Sequence, residues 1–61
     1  MEVFVVLEED QIGARVSKVA STKEKCEEYI KETFSELRFL TEDAWRCGGV
    51  IVSIQKTNLD S

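Results

Sequence analysis

Residues 2–8, Glu-Val-Phe-Val-Val-Leu-Glu, have the pattern of a β-strand that is apolar on both faces. Because side chains alternate along a strand, Val3, Val5 and Leu7 share one face, and Phe4 and Val6 share the other. Such a strand belongs inside a sheet with a covering layer on each side. The rest of the chain predicts a single helix, which can cover one side. The other face of the sheet would then be covered by a partner.

That helix is predicted by an apolar stripe in residues 21–38. Ser21 and Glu24 have the spacing of a capping box, which marks a helix start. Lys and Glu fill the face opposite the stripe, as in a helix with one side in water. We therefore expect a helix from about Thr22 to Leu37 or Arg38. Its stripe comprises Cys26, Tyr29, Ile30, Thr33, Phe34 and Leu37.

The remaining segments predict two more strands. Residues 9–13 are mostly polar, end in Gly13, and indicate a hairpin loop before an edge strand over about residues 14–20. Gly48-Gly49 indicates a turn before a last strand from Val50 to about Lys56. Residues 42–47 are either a short turn or a short strand.

These elements predict one small α+β domain over residues 1–61, in the order β-β-α-β. The crossover helix lets the last strand pair with the first. We therefore expect a three-stranded antiparallel sheet of order 2-1-3, with the amphipathic helix packed on one face. The second, uncovered face is expected to carry Phe4, Val6 and Ile51.

Charge and length exclude several functions. The net charge is −4 and the eight basic residues are scattered, which disfavours binding to a phosphate backbone. The apolar run near the start lacks a basic region before it and is far shorter than the roughly 20 residues of a membrane span. We expect a cytoplasmic protein that binds neither membrane nor nucleic acid.

The residue types present also argue against catalysis. The chain has no histidine, so it lacks the commonest general base and metal ligand. Cys26 lies on the apolar stripe and is expected to fill the core, and Cys47 has an arginine neighbour but no base. Two cysteines cannot build a four-cysteine zinc site, and the acidic residues do not have calcium-loop spacing. We expect free thiols, with a bridge between Cys26 and Cys47 as the less favoured alternative, and no catalytic residue, metal or cofactor.

Three segments resemble a family of small α/β proteins that are common in phages and mobile elements. They are VFVVLEED, ARVSKVASTKEKCEEYIKE and GGVIVSIQKTNLD, which include the spacing Thr22-x-Glu24-x-Cys26-x-x-Tyr29 and the final Leu59-Asp60. The chain departs from the family pattern between Phe39 and Cys47. The resemblance implies a β-β-α-β fold and a phage or mobile-element origin. It implies no activity, because most family members have no assigned function.

The first functional hypothesis is a non-enzymatic protein-binding module that self-associates, as a dimer, through the uncovered apolar face. The resemblance adds that the module modulates a host protein, with a defence component as one candidate. Trp45 and Arg46 are further interface candidates, since both residue types are enriched at binding hot spots. Trp45 can equally close one end of the core.

Two alternatives stay open. One is a binding protein for a small ligand or nucleotide signal, with a pocket at a subunit boundary near Trp45 and Arg46. The other is an acidic inhibitor that mimics nucleic-acid phosphates. The second rests only on the excess of twelve acidic over eight basic residues, and charge balance bears on solubility before function.

Overall fold

The computed structural model describes residues 1–58 of the chain. The expected polar tail with Leu59, and the Leu59-Asp60 pair of the resemblance, lie outside the described residues. The elements follow the chain in the order β1 (Glu2–Glu9), β2 (Ala14–Ala20), α1 (Lys23–Thr33), β3 (Arg38–Thr41), β4 (Ala44–Cys47) and β5 (Val50–Asn58).

The fold is α+β, with one helix and a five-stranded antiparallel sheet of order β2-β1-β5-β4-β3. The prediction of a three-stranded sheet with order 2-1-3 is wrong. Residues 38–47 add a hairpin, β3–β4, that pairs with β5 on the side away from β1. Each of its strands has only four residues, too few for the alternation of side chains to stand out from a loop.

The helix is shorter than predicted, because it ends at Thr33 rather than at Leu37 or Arg38. Phe34 is extended (φ −113°, ψ 137°), although its N–H still donates to the Ile30 carbonyl at 2.9 Å. Phe34 and Leu37 nevertheless pack against the core from this extended segment. Phe34 and Leu37 have the spacing of a helical apolar stripe although they lie outside the helix. This spacing explains why the helix was predicted to end at Leu37 or Arg38.

The start of α1 is capped by Thr22, and the predicted cap at Ser21 is wrong by one residue. Thr22 has extended backbone angles (φ −134°, ψ 154°), and its Oγ1 accepts a hydrogen bond from the Lys25 N–H at 3.3 Å. A threonine oxygen in this position satisfies one of the N–H groups that a helix start leaves unpaired.

Two tight connections follow the prediction. In the β1–β2 loop, one Asp10 carboxylate oxygen accepts hydrogen bonds from the N–H groups of Ile12 (2.8 Å) and Gly13 (3.1 Å). These donors favour the charged form and hold the pKa of Asp10 below its ordinary value. Gly48 and Gly49 join β4 to β5, and Gly48 takes the left-handed φ of 62° that favours glycine there.

The core lies between α1 and one face of the sheet. Five buried side chains form its centre, and a ring of half-buried apolar residues surrounds them. The helix α1 lies over β2, β1 and β5, and Trp45 of β4 packs against the core from one side. Within residues 1–58, no helix has the length and apolar character needed to cross a membrane. The five central residues are Val6, Cys26, Ile30, Val52 and Ile54.

Candidate interaction surface

Phe4 and Val6 lie on the helix side of the sheet, so the prediction that they occupy the uncovered face is wrong. Val6 has 0% of its surface exposed and sits in the core, and Phe4 is half-buried against that core. Val6 pairs with Ile54, another core residue. Both faces of β1 are apolar, so alternation alone does not tell which of them the helix covers.

We call the side of the sheet opposite α1 the open face. Residues that pair across antiparallel strands share a face, so the strand register assigns its members. Its apolar part, which we call the apolar patch, is formed by the second face of β1 and its neighbours on β2 and β5. The patch consists of Val3, Val5, Leu7, Val16, Val19 and Ile51.

The patch is most exposed at its margins. Val16 is 58%, Val19 51% and Ile51 36% exposed. The patch residues on the central strand β1, which lies between β2 and β5, are half-buried or buried. Ile51 thus lies on the open face, and its role as a contact residue stays a prediction. Exposed β-branched side chains grouped on one sheet face are unusual for a surface that stays in water.

A β-bulge places Val16 and Val19 on the same face. They are three positions apart, so regular alternation would put them on opposite faces. The register of β2 skips Ser17, so that Lys18 pairs with Val6 and Val16 with Leu7. The Ser17 hydroxyl then lies 2.6 Å from the Tyr29 hydroxyl on the helix side. Sequence reasoning missed both valines as surface candidates because a bulge has no clear signature in this segment.

Trp45 and Arg46 point to opposite faces. Trp45 pairs with Val52, is half-buried and packs against the core. Arg46 pairs with Ile51 and is exposed on the open face. The indole therefore closes one end of the core, and the expected joint site of Trp45 and Arg46 is not assembled.

The charged strand residues are distributed unevenly between the two faces. One row across the open face reads Glu9, Ile51, Arg46 and Arg38, from β1 to β3. Within β1 to β5, these two arginines and Glu9 are the charged side chains that the register assigns to the open face. The acidic residues of α1 lie on the far side of the molecule. The open face is therefore apolar with a slightly basic rim, in a chain whose net charge is −4.

The Cys26 thiol lacks the surroundings of a nucleophile. Cys26 is fully buried, its Sγ donates to the Phe4 carbonyl at 3.6 Å, and burial raises the pKa of its thiol above the ordinary value. The Cys47 thiol donates to the Ser35 carbonyl at 3.2 Å. Both cysteines are free, and the predicted core position of Cys26 is confirmed. A buried thiol whose pKa is raised is a poor nucleophile at neutral pH.

Several carboxylates are already paired with cations. Glu8 lies 3.5 Å from Arg15, Asp43 lies 2.6 Å from Lys23, and Glu2 lies 3.2 Å from Lys56. The hydrogen bond from Lys23 to Asp43 raises the pKa of the lysine. In the described part of the chain, no group of three or more potential ligands is placed to hold a metal ion.

Comparison of the chain with models of protein families, with curated proteins and with solved structures finds no match.

Proposed function

We propose that this chain is a non-enzymatic protein-binding module that associates with a second copy of itself through the open face. The observation that carries the proposal is the apolar patch. It places six aliphatic side chains on one sheet face, with Val16, Val19 and Ile51 exposed and Val3 already buried, whereas α1 packs on the opposite face. Burial of apolar surface is the main favourable term in protein association, so a partner that covers the patch is stabilising.

The dimensions of the molecule suit a second copy as that partner. The Cα atoms extend over 36 × 25 × 18 Å, and a sheet with a helix layered on it has its broad faces along the two longer directions. A rectangle of 36 by 25 Å encloses about 900 Å², which is an upper limit for the outline of the open face and leaves room for the roughly 800 Å² that each partner buries in a standard interface. Two such sheets can pack face to face about 10 Å apart.

The distribution of charge favours the same partner. Two copies with a net charge of −4 repel each other unless their acidic surfaces stay apart. Packing through the open face keeps the acidic sides of both α1 helices outward, in water. It also brings Glu9 of one copy onto a surface that carries Arg38 and Arg46 of the other.

The resemblance to small phage and mobile-element proteins supports the rest of the proposal. It suggests a host protein as a further binding partner, whereas the dimer is proposed from the apolar patch. The absence of histidine from the sequence and the protonated, buried state expected for Cys26 are in keeping with a binding role.

Sedimentation equilibrium over a range of protein concentrations tests the self-association. Val19→Glu puts a charge into the patch on an edge strand, where the side chain is exposed and the monomer tolerates it. Burying that charge unpaired costs more than about 1.4 kcal/mol, so the dimer dissociation constant should rise at least tenfold. Ile12→Glu is the matched control, because Ile12 is exposed in the β1–β2 loop, outside the patch.

A wild-type chain that stays monomeric at millimolar concentration contradicts the proposal. So does a pair of variants that weaken association equally, since Ile12 lies outside the patch.

A further inference from the structure

Arg38 and Arg46 form a cross-strand pair of like charges. They are opposite each other in the β3–β4 register and share the open face. Opposed residues in an antiparallel pair have Cα atoms about 4.5–5.5 Å apart, so the two guanidinium groups reach the same region. Like charges directly opposite each other destabilise a strand pair. No carboxylate of residues 1–58 comes within 4.0 Å of either group to offset this.

Four of the eight basic side chains have partners in the described chain. Arg15, Lys23 and Lys56 form salt bridges. The Lys18 ammonium lies 5.8 Å from the centre of the Tyr29 ring, at cation–π distance. Lys25 and Lys31 on α1 likewise have no such partner within residues 1–58, so what distinguishes the two arginines is that they oppose each other at one place on the sheet.

The pair lines a shallow recess. Its volume is about 310 Å³, and its walls also include Glu36 and Gly48. The missing side chain at Gly48 leaves open space beside the arginines, since an added Cβ would meet no atom within 4 Å. Arg46 belongs to β4, which is paired on both sides, so its backbone position is fixed by the sheet.

From this juxtaposition we infer a binding site for a phosphate group, formed by Arg38 and Arg46 with Gly48 at its rim. Guanidinium groups bind phosphate through two parallel N–H bonds each. Two of them supply a charge of +2, which matches a dianionic phosphate better than a singly charged carboxylate. The recess opens to solvent, so it accepts a terminal phosphate carried by a larger molecule. The recess lies on the open face, so a phosphate bound there competes with the proposed dimer contact for the same two arginines. Titration below the dimer dissociation constant keeps the test of the site separate from the test of self-association.

Glu36 is the one acidic wall of the recess and opposes an anion there. It lies beyond salt-bridge distance of both arginines, so it does not occupy their donors. Its carboxylate should weaken phosphate binding by repulsion. Replacing it with a neutral side chain of similar shape should therefore strengthen binding.

Calorimetric titration of the full chain with pyrophosphate at low salt measures binding to the site. Changes in the amide NMR shifts of Arg46 and Gly48 during the titration show that pyrophosphate binds there. We expect saturable binding that Arg38→Ala and Arg46→Ala each weaken at least tenfold. Arg46→Lys should restore only part of the loss, because lysine keeps the charge but not the paired donors. Lys31→Ala, which removes a charge from the exposed face of α1, should leave binding unchanged, and Glu36→Gln should tighten it.

Parallel titrations with inorganic phosphate, ATP and acetate separate the ligand sources. Tighter binding of ATP than of pyrophosphate supports the site and identifies a nucleotide as the carrier, and equal binding supports a site for phosphate alone. Acetate binding as tightly as pyrophosphate overturns the phosphate assignment. The site itself is overturned if pyrophosphate does not saturate at millimolar concentration, or if Lys31→Ala weakens binding as much as Arg46→Ala does.

Discussion

Ile30 and Ile12 are the same residue type in opposite surroundings. Ile30 is 1% exposed beneath α1, whereas Ile12 is 97% exposed in the β1–β2 loop. Truncating a buried isoleucine removes transfer free energy and leaves a cavity. We predict that Ile30→Ala lowers the free energy of unfolding by about 2–5 kcal/mol. Ile12→Ala should change it by less than about 0.5 kcal/mol in urea denaturation. Equal effects would mean that the core lies elsewhere.

The Cys26 thiol should make stability depend on pH in the alkaline range. Desolvation raises its pKa above the ordinary value of 9.0, with a smaller contribution from Glu27 and an opposing one from Lys18. The folded state therefore keeps this proton to higher pH than the unfolded chain does. The corresponding stability is complete below about pH 9 and is lost as the pH rises through the folded-state pKa.

Urea denaturation between pH 7 and 10.5 measures this effect, with Cys26→Ala as the comparison. We predict that the stability difference between wild type and variant shrinks as the pH rises above 9. A difference that stays constant over this range would show that the thiol titrates alike in both states.

At the scale of single elements, the neighbouring hydroxyl residues Ser21 and Thr22 differ in their role at the start of α1. Thr22 accepts the Lys25 N–H, whereas Ser21 lies one residue outside the cap. Thr22→Ala should lower the free energy of unfolding by about 1 kcal/mol. Ser21→Ala should have little effect, as expected for an exposed residue outside the helix. A larger loss for Ser21→Ala, measured by thermal or urea unfolding, would instead support the capping box that the sequence suggested.

The β4–β5 turn offers a second matched pair. Gly48 has φ 62°, while Gly49 lacks a positive φ, and an added Cβ meets no atom at either position. Gly48→Ala should therefore cost about 1 kcal/mol of folding free energy through backbone strain alone. Gly49→Ala should cost less. The same unfolding experiment compares them, and equal losses would contradict the assigned turn geometry.

The sequence was informative about elements with a long repeating pattern. The strand in residues 2–8, the hairpin loop before Ala14 and the start of the helix within one residue were all predicted from alternation, turn residues and a capping signal. Of the β3–β4 hairpin, Ala44–Cys47 was expected to be a strand only as an alternative to a short turn, and β3 was not predicted, because a four-residue strand gives too few alternations to distinguish it from a loop. Arg38 was not predicted as a site residue, because the sequence pattern assigned it to the end of the helix rather than to a strand.

At the scale of the whole molecule, the choice of face was beyond sequence reasoning. Both faces of β1 are apolar, and the pattern correctly indicated that one helix cannot cover both. Which face the helix covers depends on the packing of Val6 and Ile54 against Ile30. The bulge at Ser17 then decides that Val16 and Val19 join the opposite side. The alternation of apolar and polar residues predicts neither the face that the helix covers nor the position of the bulge.

The central claim is that two copies meet through the open face, and intermolecular contacts between methyl groups test it most directly. An NMR experiment on a sample that mixes isotope-labelled and unlabelled chains detects only contacts between copies. We predict intermolecular contacts among the methyl groups of Val5, Leu7, Val16, Val19 and Ile51, and none from Ile30. Intermolecular contacts that arise from the helix side, or a complete absence of them at millimolar concentration, would contradict the account.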